Sequence, residues 1–281
     1  MIDVISGGMY TSIQDMGRYG YRRLGVPLSG TMDRYSARLA NRLVGNEKEA
    51  AVIEITHVGP VLKFNIATEI AITGAGFSPT IHDTEVPLNT RLFVKEHSLL
   101  KFGLPNYGLR AYLSVAGGFL SEKIMGSYSQ YPGITSSDTL EKGDSLDVSV
   151  FDRATSVATA SVKVDKDHFH SEEIEVTKGP EFSNLTKAFQ KKIIGKELKV
   201  SPESNRMAYL LSGFNDLSAK ELITAPVQPG TVQLTPSGQC IVLMRDSQTT
   251  GGYSRILQLT ESAINKLAQK QAGKTVRFIL V

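Results

Sequence analysis

The chain has 281 residues, 41% of them hydrophobic and 21% charged, enough apolar material for one or two cores. Thirty-one Lys and Arg against 28 Asp and Glu leave a formal charge of +3. That excess is too small for a nucleic-acid footprint, so the expected ligand is a small molecule or another protein. Cys240 is the one cysteine; an internal disulfide is excluded and a reducing compartment is expected. There is no signal-like start and no apolar run approaching ~18 residues, so the reading is a soluble cytoplasmic protein with no membrane partner.

In chain order, the first conspicuous stretch is polar and glycine-rich: Thr11-Ser12-Ile13-Gln14-Asp15-Met16-Gly17-Arg18-Tyr19-Gly20, running on through Arg22 and Arg23 to Ser29-Gly30-Thr31-Met32-Asp33. Asp15 and Arg18 are spaced to pair across a turn. That pair either staples the turn or fixes a guanidinium to receive a carboxylate or phosphate. Tyr35, Leu39 and Leu43 then recur every fourth residue, with Asp33 as N-cap and Gly45 as stop, which predicts a helix.

Short β-type runs follow: Ala51–Thr56, Glu69–Thr73, Arg91–Val94, Ser98–Phe102, Leu109–Val115 and Ser145–Val150. In the second polar cluster, 105–118, Arg110, Tyr112 and Ser114 alternate and so share one strand face. That face is either a polar outer surface or the lining of a cleft. Composition shifts between Asp152 and Glu173, as in a linker or a connecting loop. The pattern divides the chain into β-rich halves at 1–152 and 173–281.

The second half repeats the style. Leu185, Phe189 and Ile193 predict a helix after Ser183, and Ile264, Leu267 and Ala268 predict another after Thr260. Strands are expected near Glu173–Thr177, Arg206–Leu211, Thr231–Leu234, Cys240–Met244, Ser254–Leu259 and Thr275–Val281. A third polar cluster, Met244-Arg245-Asp246-Ser247-Gln248-Thr249-Thr250-Gly251-Gly252-Tyr253, lies between two apolar strands. Such a segment is costly to order unless its polar groups find partners. Gln248, Thr249 and Thr250 offer neutral donors and acceptors suited to an amide.

Several look-alikes fall away. Gly273-Lys274-Thr275 lacks the earlier glycine of a phosphate-binding loop and precedes a strand, so it reads as a turn. His168 and His170 would share a face on a strand, yet no third ligand stands nearby, and no metal is expected. Cys240 opens an apolar strand and reads as a buried thiol. No Ala-Met-Lys-Met acceptor is present, so no biotin is expected on this chain.

The three clusters, in this order, resemble the allophanate hydrolase subunit 2 (KipA-like) family, which is similar to biotin-dependent carboxyltransferases. The resemblance runs through Thr11-Ser12-x-Gln14-Asp15-x-Gly17-Arg18-x-Gly20, Arg110-Ala111-Tyr112-Leu113 with Ala116-Gly117-Gly118, and Gly179-Pro180-Glu181. It continues in Gly230-Thr231-Val232-Gln233 and Gln248-Thr249-Thr250-Gly251-Gly252-Tyr253. Asn205 stands where the family has Asp before Arg-Met, which removes an acid from the candidate bases there.

The resemblance implies a mainly β fold of cyclophilin-like barrels. It implies a partner of the allophanate hydrolase subunit 1 type, which is the B subunit of 5-oxoprolinase, together with the A subunit. The activity implied is ATP-driven opening of 5-oxoproline to glutamate, with ATP and Mg bound in the complex. The alternatives are carboxyl transfer to urea or a similar amide, and a regulatory binding role. On that reading Arg18, Asp15, Asp33 and Arg206 are the expected catalytic residues. Gln14, Ser29, Gln233, Gln248, Thr249, Thr250 and Tyr253 are the expected substrate-binding ones.

Overall fold

The computed structural model describes residues 1–149, 162–214 and 219–281. Val150, the expected end of one strand, and the part of the expected linker up to residue 161 lie outside the described residues. The chain forms two compact units. The first comprises Met1–Arg18 and Ser29–Lys166, the second Tyr19–Leu28 and Asp167–Val281.

The first unit is built on two antiparallel sheets. In one, the strand order is Phe119–Leu120, Ser145–Val148, Ile2–Ser6, Val61–Phe64, Leu99–Lys101, Thr80–Ile81, Thr84–Glu85. The other runs Tyr10–Gln14, Val52–Thr56, Arg110–Val115, Thr68–Gly74, Arg91–Val94. Strand alternation puts Ile53, Ile55, Ile70, Ile72, Leu113 and Val115 into a common core with Val4, Leu62, Phe64 and Leu100. The same alternation turns Glu54, Thr73, Tyr112 and Ser114 to the opposite face, and all four are buried there.

That opposite face is covered by the Arg34–Leu43 helix, which packs on the Arg110–Val115 and Thr68–Gly74 strands. Asp33 caps it as expected, its carboxylate accepting from the Ser36 N–H at 3.1 Å. The buried stripe differs from the expected one. Ser36, Ala37, Ala40 and Asn41 face inward with Leu43, while Tyr35 is exposed. Small side chains let the helix approach a sheet face that already carries the large Tyr112 ring, so Tyr35 has no room inside.

The second unit is a closed seven-stranded barrel. Its order is Glu173–Lys178, Ser254–Leu259, Thr231–Leu234, Cys240–Leu243, Ala208–Ser212, Leu198–Val200, Thr275–Leu280. The last strand returns to the first through a parallel pairing, Glu173 opposite Arg277, and closure leaves no open edge. Every other pairing in the barrel is antiparallel. The Glu261–Ala268 helix buries Ala263, Ile264, Leu267 and Ala268, the stripe expected from sequence. Its Thr260 cap accepts from the Ala263 N–H at 3.1 Å.

The molecule is mainly β with a few short helices, as patterning predicted. His168 and His170 are corrected: they sit in a one-turn helix, Asp167–His170, so strand alternation does not apply to them. Thr186, not Ser183, caps the Lys187–Ile193 helix, because Phe182–Asn184 forms a separate 3-10 turn. Among the described residues no helix is long and apolar enough to cross a membrane.

Candidate functional site

In the first unit the polar residues singled out from sequence are deep in the fold. Asp15 follows directly on the Tyr10–Gln14 strand, and its carboxylate accepts four hydrogen bonds. They come from Ser127 Oγ and Ser129 Oγ at 2.7 Å each, the Gly17 N–H at 2.8 Å and the Tyr128 N–H at 2.7 Å. Arg18 does not pair with it. The Arg18 guanidinium donates to the carbonyls of Ile124 at 3.1 Å and Ser129 at 2.7 Å. Gln14 completes the seam through Ser12 Oγ and the Gln130 carbonyl. The expected Asp15–Arg18 staple is thus replaced by two separate clamps on one segment, 124–130. Asp15 holds its donors and Arg18 its carbonyls.

Ser29 and Asp33 lie just beyond. Gly30, at φ +90°, presses its backbone against Asp15 to Gly17, and an added Cβ would stand 2.8 Å from the Gly17 nitrogen. The Ser29 side chain is buried. Asp33 spends its carboxylate on Ser36, and its N–H donates to the Tyr112 hydroxyl at 2.8 Å. Burial, and then the carboxylates of Glu54 and Asp33, hold the Tyr112 phenol well above its ordinary pKa. Arg110 stands 3.7 Å from Glu54, and Ser114 donates to Asn41 at 2.6 Å. The shared face of Arg110, Tyr112 and Ser114 is therefore neither an outer surface nor a cleft lining. It is a polar layer buried beneath a helix, with partners inside the fold.

In the second unit the third cluster splits at Ser247. Before it, everything is buried. Arg206 forks onto Asp246 with bonds of 2.7 and 3.1 Å, and Arg245 reaches Glu261 and Asn265. After it, Gln248, Thr249, Thr250 and Tyr253 are half-buried or exposed. The side chains of Gln248, Thr249 and Thr250 make no hydrogen bond among the described residues. Thr250–Gly251 pairs with Ala225–Pro226 in a two-stranded ribbon. Beneath it Gln233 is buried and donates to the Tyr253 carbonyl at 3.3 Å. A Cβ on Gly251 would meet the Gln233 amide at 2.7 Å, so this glycine is what lets the ribbon lie so low.

Thr249 and Thr250 open onto a cleft of about 760 Å³ at the side of the barrel, a volume typical of small-molecule sites. Arg22 and Arg23 of the 19–28 segment form one wall, and Lys178 with Gly179, where the first barrel strand ends, form another. Arg255 and Gln258 line it as well. Arg255 is rigidly held: it bonds Glu181 at 3.0 and 2.8 Å and the Pro226 carbonyl at 3.0 Å. The Glu181 contact raises the Arg255 pKa, and the same contact lowers that of Glu181. Arg22 donates to the Val227 carbonyl, and burial pulls its pKa down. Among the described residues, four cationic side chains and no Asp or Glu line the cleft. Such a concave surface attracts anions.

Sequence reasoning found Thr249 and Thr250 but passed over Lys178 and Arg255, and quoted Arg22 and Arg23 without a role. The one signal was Gly179-Pro180-Glu181 directly after Lys178, a rigid turn joining a cation to a carboxylate. Cys240 is buried, and burial pushes its thiol up to about 12, which bars it from nucleophilic work at neutral pH.

The double-sheet unit and the seven-stranded barrel together make a fold of the carboxyltransferase class. Residues 24–280 match the family "carboxyltransferase domain, subdomain A and B", and the chain belongs to that family. Within it, the C subunit of 5-oxoprolinase from Escherichia coli is 35% identical, over 99% of this chain and 91% of the relative. The solved structure of TTHA0988 is 28% identical with a TM-score of 0.89, covering 99% of this chain. The K. lactis urea amidolyase is 30% identical with a TM-score of 0.89, covering all of this chain. The chain spans 55% of the TTHA0988 chain and 18% of the urea amidolyase.

Proposed function

We propose that this chain belongs to an ATP-dependent 5-oxoprolinase and helps open 5-oxo-L-proline to L-glutamate inside a multi-subunit complex. The observation that carries the reading is near end-to-end likeness to a 5-oxoprolinase C subunit, against a match to under a fifth of urea amidolyase. The partners in this reading are the A and B subunits, and the setting is the cytoplasm.

The chemistry explains why ATP is needed. A lactam carbonyl is a poor electrophile. Phosphoryl transfer from ATP to the lactam oxygen releases ADP and turns that oxygen into part of a leaving group. Attack of water at the ring carbon, cleavage of the C–N bond and hydrolysis of the phosphate consume two waters and yield glutamate and phosphate.

The side chains suited to meet the substrate are those still open: Gln248, Thr249 and Thr250, with Tyr253 beside them. An amide and two hydroxyls can donate to the lactam oxygen and accept from its N–H. Asp15, Arg18, Asp33, Arg206, Gln14 and Gln233 are buried and bonded within the fold. In this reading they act as positioning residues that hold the loops.

The test is reconstitution of the three purified proteins with ATP and 5-oxo-L-proline, measuring glutamate. The reading predicts glutamate only when this chain is present. Equal glutamate without it would contradict the reading. Urea- and bicarbonate-dependent ATP consumption in its place would favour carboxyl transfer.

A further inference from the structure

We infer that the barrel cleft of the second unit is a phosphoryl-binding site, formed by Arg22, Arg23 and Lys178 around the hydroxyls of Thr249 and Thr250. The charge and shape of the cleft carry it. Only the origin of the phosphate, from ATP or from the phosphorylated lactam, rests on the function proposed above.

The cations arrive from separate parts of the second unit. Arg22 and Arg23 come from the 19–28 segment, Lys178 from the end of the first barrel strand and Arg255 from the strand beside it. Like charges repel, so gathering them on one concave surface is unfavourable unless something offsets it. Glu181 offsets Arg255 through its two-bond fork. Lys178 lies over the Phe182 ring, 5.6 Å from its centroid, which holds the chain but leaves the charge. Among the described residues no carboxylate lines the cleft beside Arg22, Arg23 or Lys178.

The surplus suits a phosphoryl group better than a carboxylate. A carboxylate carries one charge and is satisfied by one guanidinium fork. A phosphoryl group carries about two charges and three strong acceptor oxygens, enough to engage several cations and the two threonine hydroxyls together. The backbone also leaves room. A Cβ on Gly179 would lie 2.2 Å from the Arg255 carbonyl oxygen, so only glycine lets the Lys178–Pro180 turn seat against the Arg255 strand. Gly25, at φ +79°, closes the 22–25 turn and adds no side chain to the rim.

The site can be tested on the full chain by titration with three probes in turn: inorganic phosphate, ATP and 5-oxo-L-proline. Phosphate and ATP should bind with affinity that falls as salt rises. Arg23→Ala and Lys178→Ala, both exposed residues whose truncation spares the core, should each weaken that binding at least tenfold. In the assembled complex the same variants should raise the KM for ATP or lower kcat.

No phosphate or ATP binding, binding indifferent to both variants, or 5-oxo-L-proline bound with equal affinity and weakened equally by Arg23→Ala and Lys178→Ala, would each overturn the assignment. The two readings fail separately. Phosphate binding lost in the variants, with no glutamate formed by the complex, sinks the proposed function and keeps the site. Glutamate formed normally by complexes carrying either variant, with phosphate binding unchanged, sinks the site alone.

Discussion

Arg206 and Asp246 are both almost fully buried, and each is the other's counter-charge through two short bonds. Removing Arg206 leaves the buried Asp246 carboxylate without this fork. Arg206→Ala should therefore lower unfolding free energy by about 3–5 kcal/mol, read from the denaturant midpoint. Asp15→Ala strands two hydroxyls and two backbone N–H groups at once, and a loss of at least about 3 kcal/mol is expected. Lys270 is a third test. It is buried, its Nζ donates to the Phe169 carbonyl at 2.8 Å, and burial lowers its pKa from 10.5 to about 8. Between those values the unfolded chain holds a proton that the folded chain has released, so stability rises with pH across that window. Lys270→Met should abolish that rise when unfolding is compared at about pH 7.5 and about pH 10.5; a slope unchanged by the substitution would refute it.

Among the elements, the turn at Gly179 and the Arg34–Leu43 helix are the most exacting. An added methyl at Gly179 meets backbone on the neighbouring strand, which cannot swing aside as a side chain would. Gly179→Ala should displace the turn, weaken the barrel by about 1–3 kcal/mol and disturb the cleft wall. Gly251→Ala meets only the end of the Gln233 side chain, so a smaller loss in thermal midpoint is expected.

At this scale the sequence was readable where a local rule suffices. Asp33 and Thr260 cap their helices, and Ile264, Leu267 and Ala268 form the buried stripe they spell. It was unreadable where the answer depends on a distant surface. The Tyr35, Leu39, Leu43 spacing mimics an apolar face, but the sheet beneath presents polar groups and a tyrosine ring, which select the small face instead. The strands Ile2–Ser6, Val61–Phe64 and Leu198–Val200 are only three to five residues long and are fixed by their neighbours in the sheet, so the turn residues beside them, Gly7-Gly8, Gly59-Pro60 and Ser201-Pro202, did not suffice to mark them.

For the molecule as a whole, polar density in the sequence marked two different things. In the first unit it marked internal scaffolding, with Asp15, Arg18, Glu54, Arg110 and Tyr112 held in a buried seam. In the second it marked both scaffolding, up to Ser247, and an open loop beyond it. Nothing local separates Arg206 from Arg255, or Asp15 from Glu181; only the fold shows which face inward. The cleft was invisible for the same reason, since Arg22, Lys178 and the 249–255 stretch are far apart in sequence and meet only in the fold. On the function proposed above, chemistry is assigned to the open residues and stability to the buried ones. The measurement that tests this most directly is kcat/KM for 5-oxo-L-proline in the reconstituted complex carrying Gln248→Ala, Thr249→Val and Thr250→Val together, with the unfolding midpoint of the chain measured alongside. The predicted result is a fall of about a hundredfold, the loss of two or three substrate hydrogen bonds, at an unchanged midpoint. An undiminished kcat/KM would contradict it.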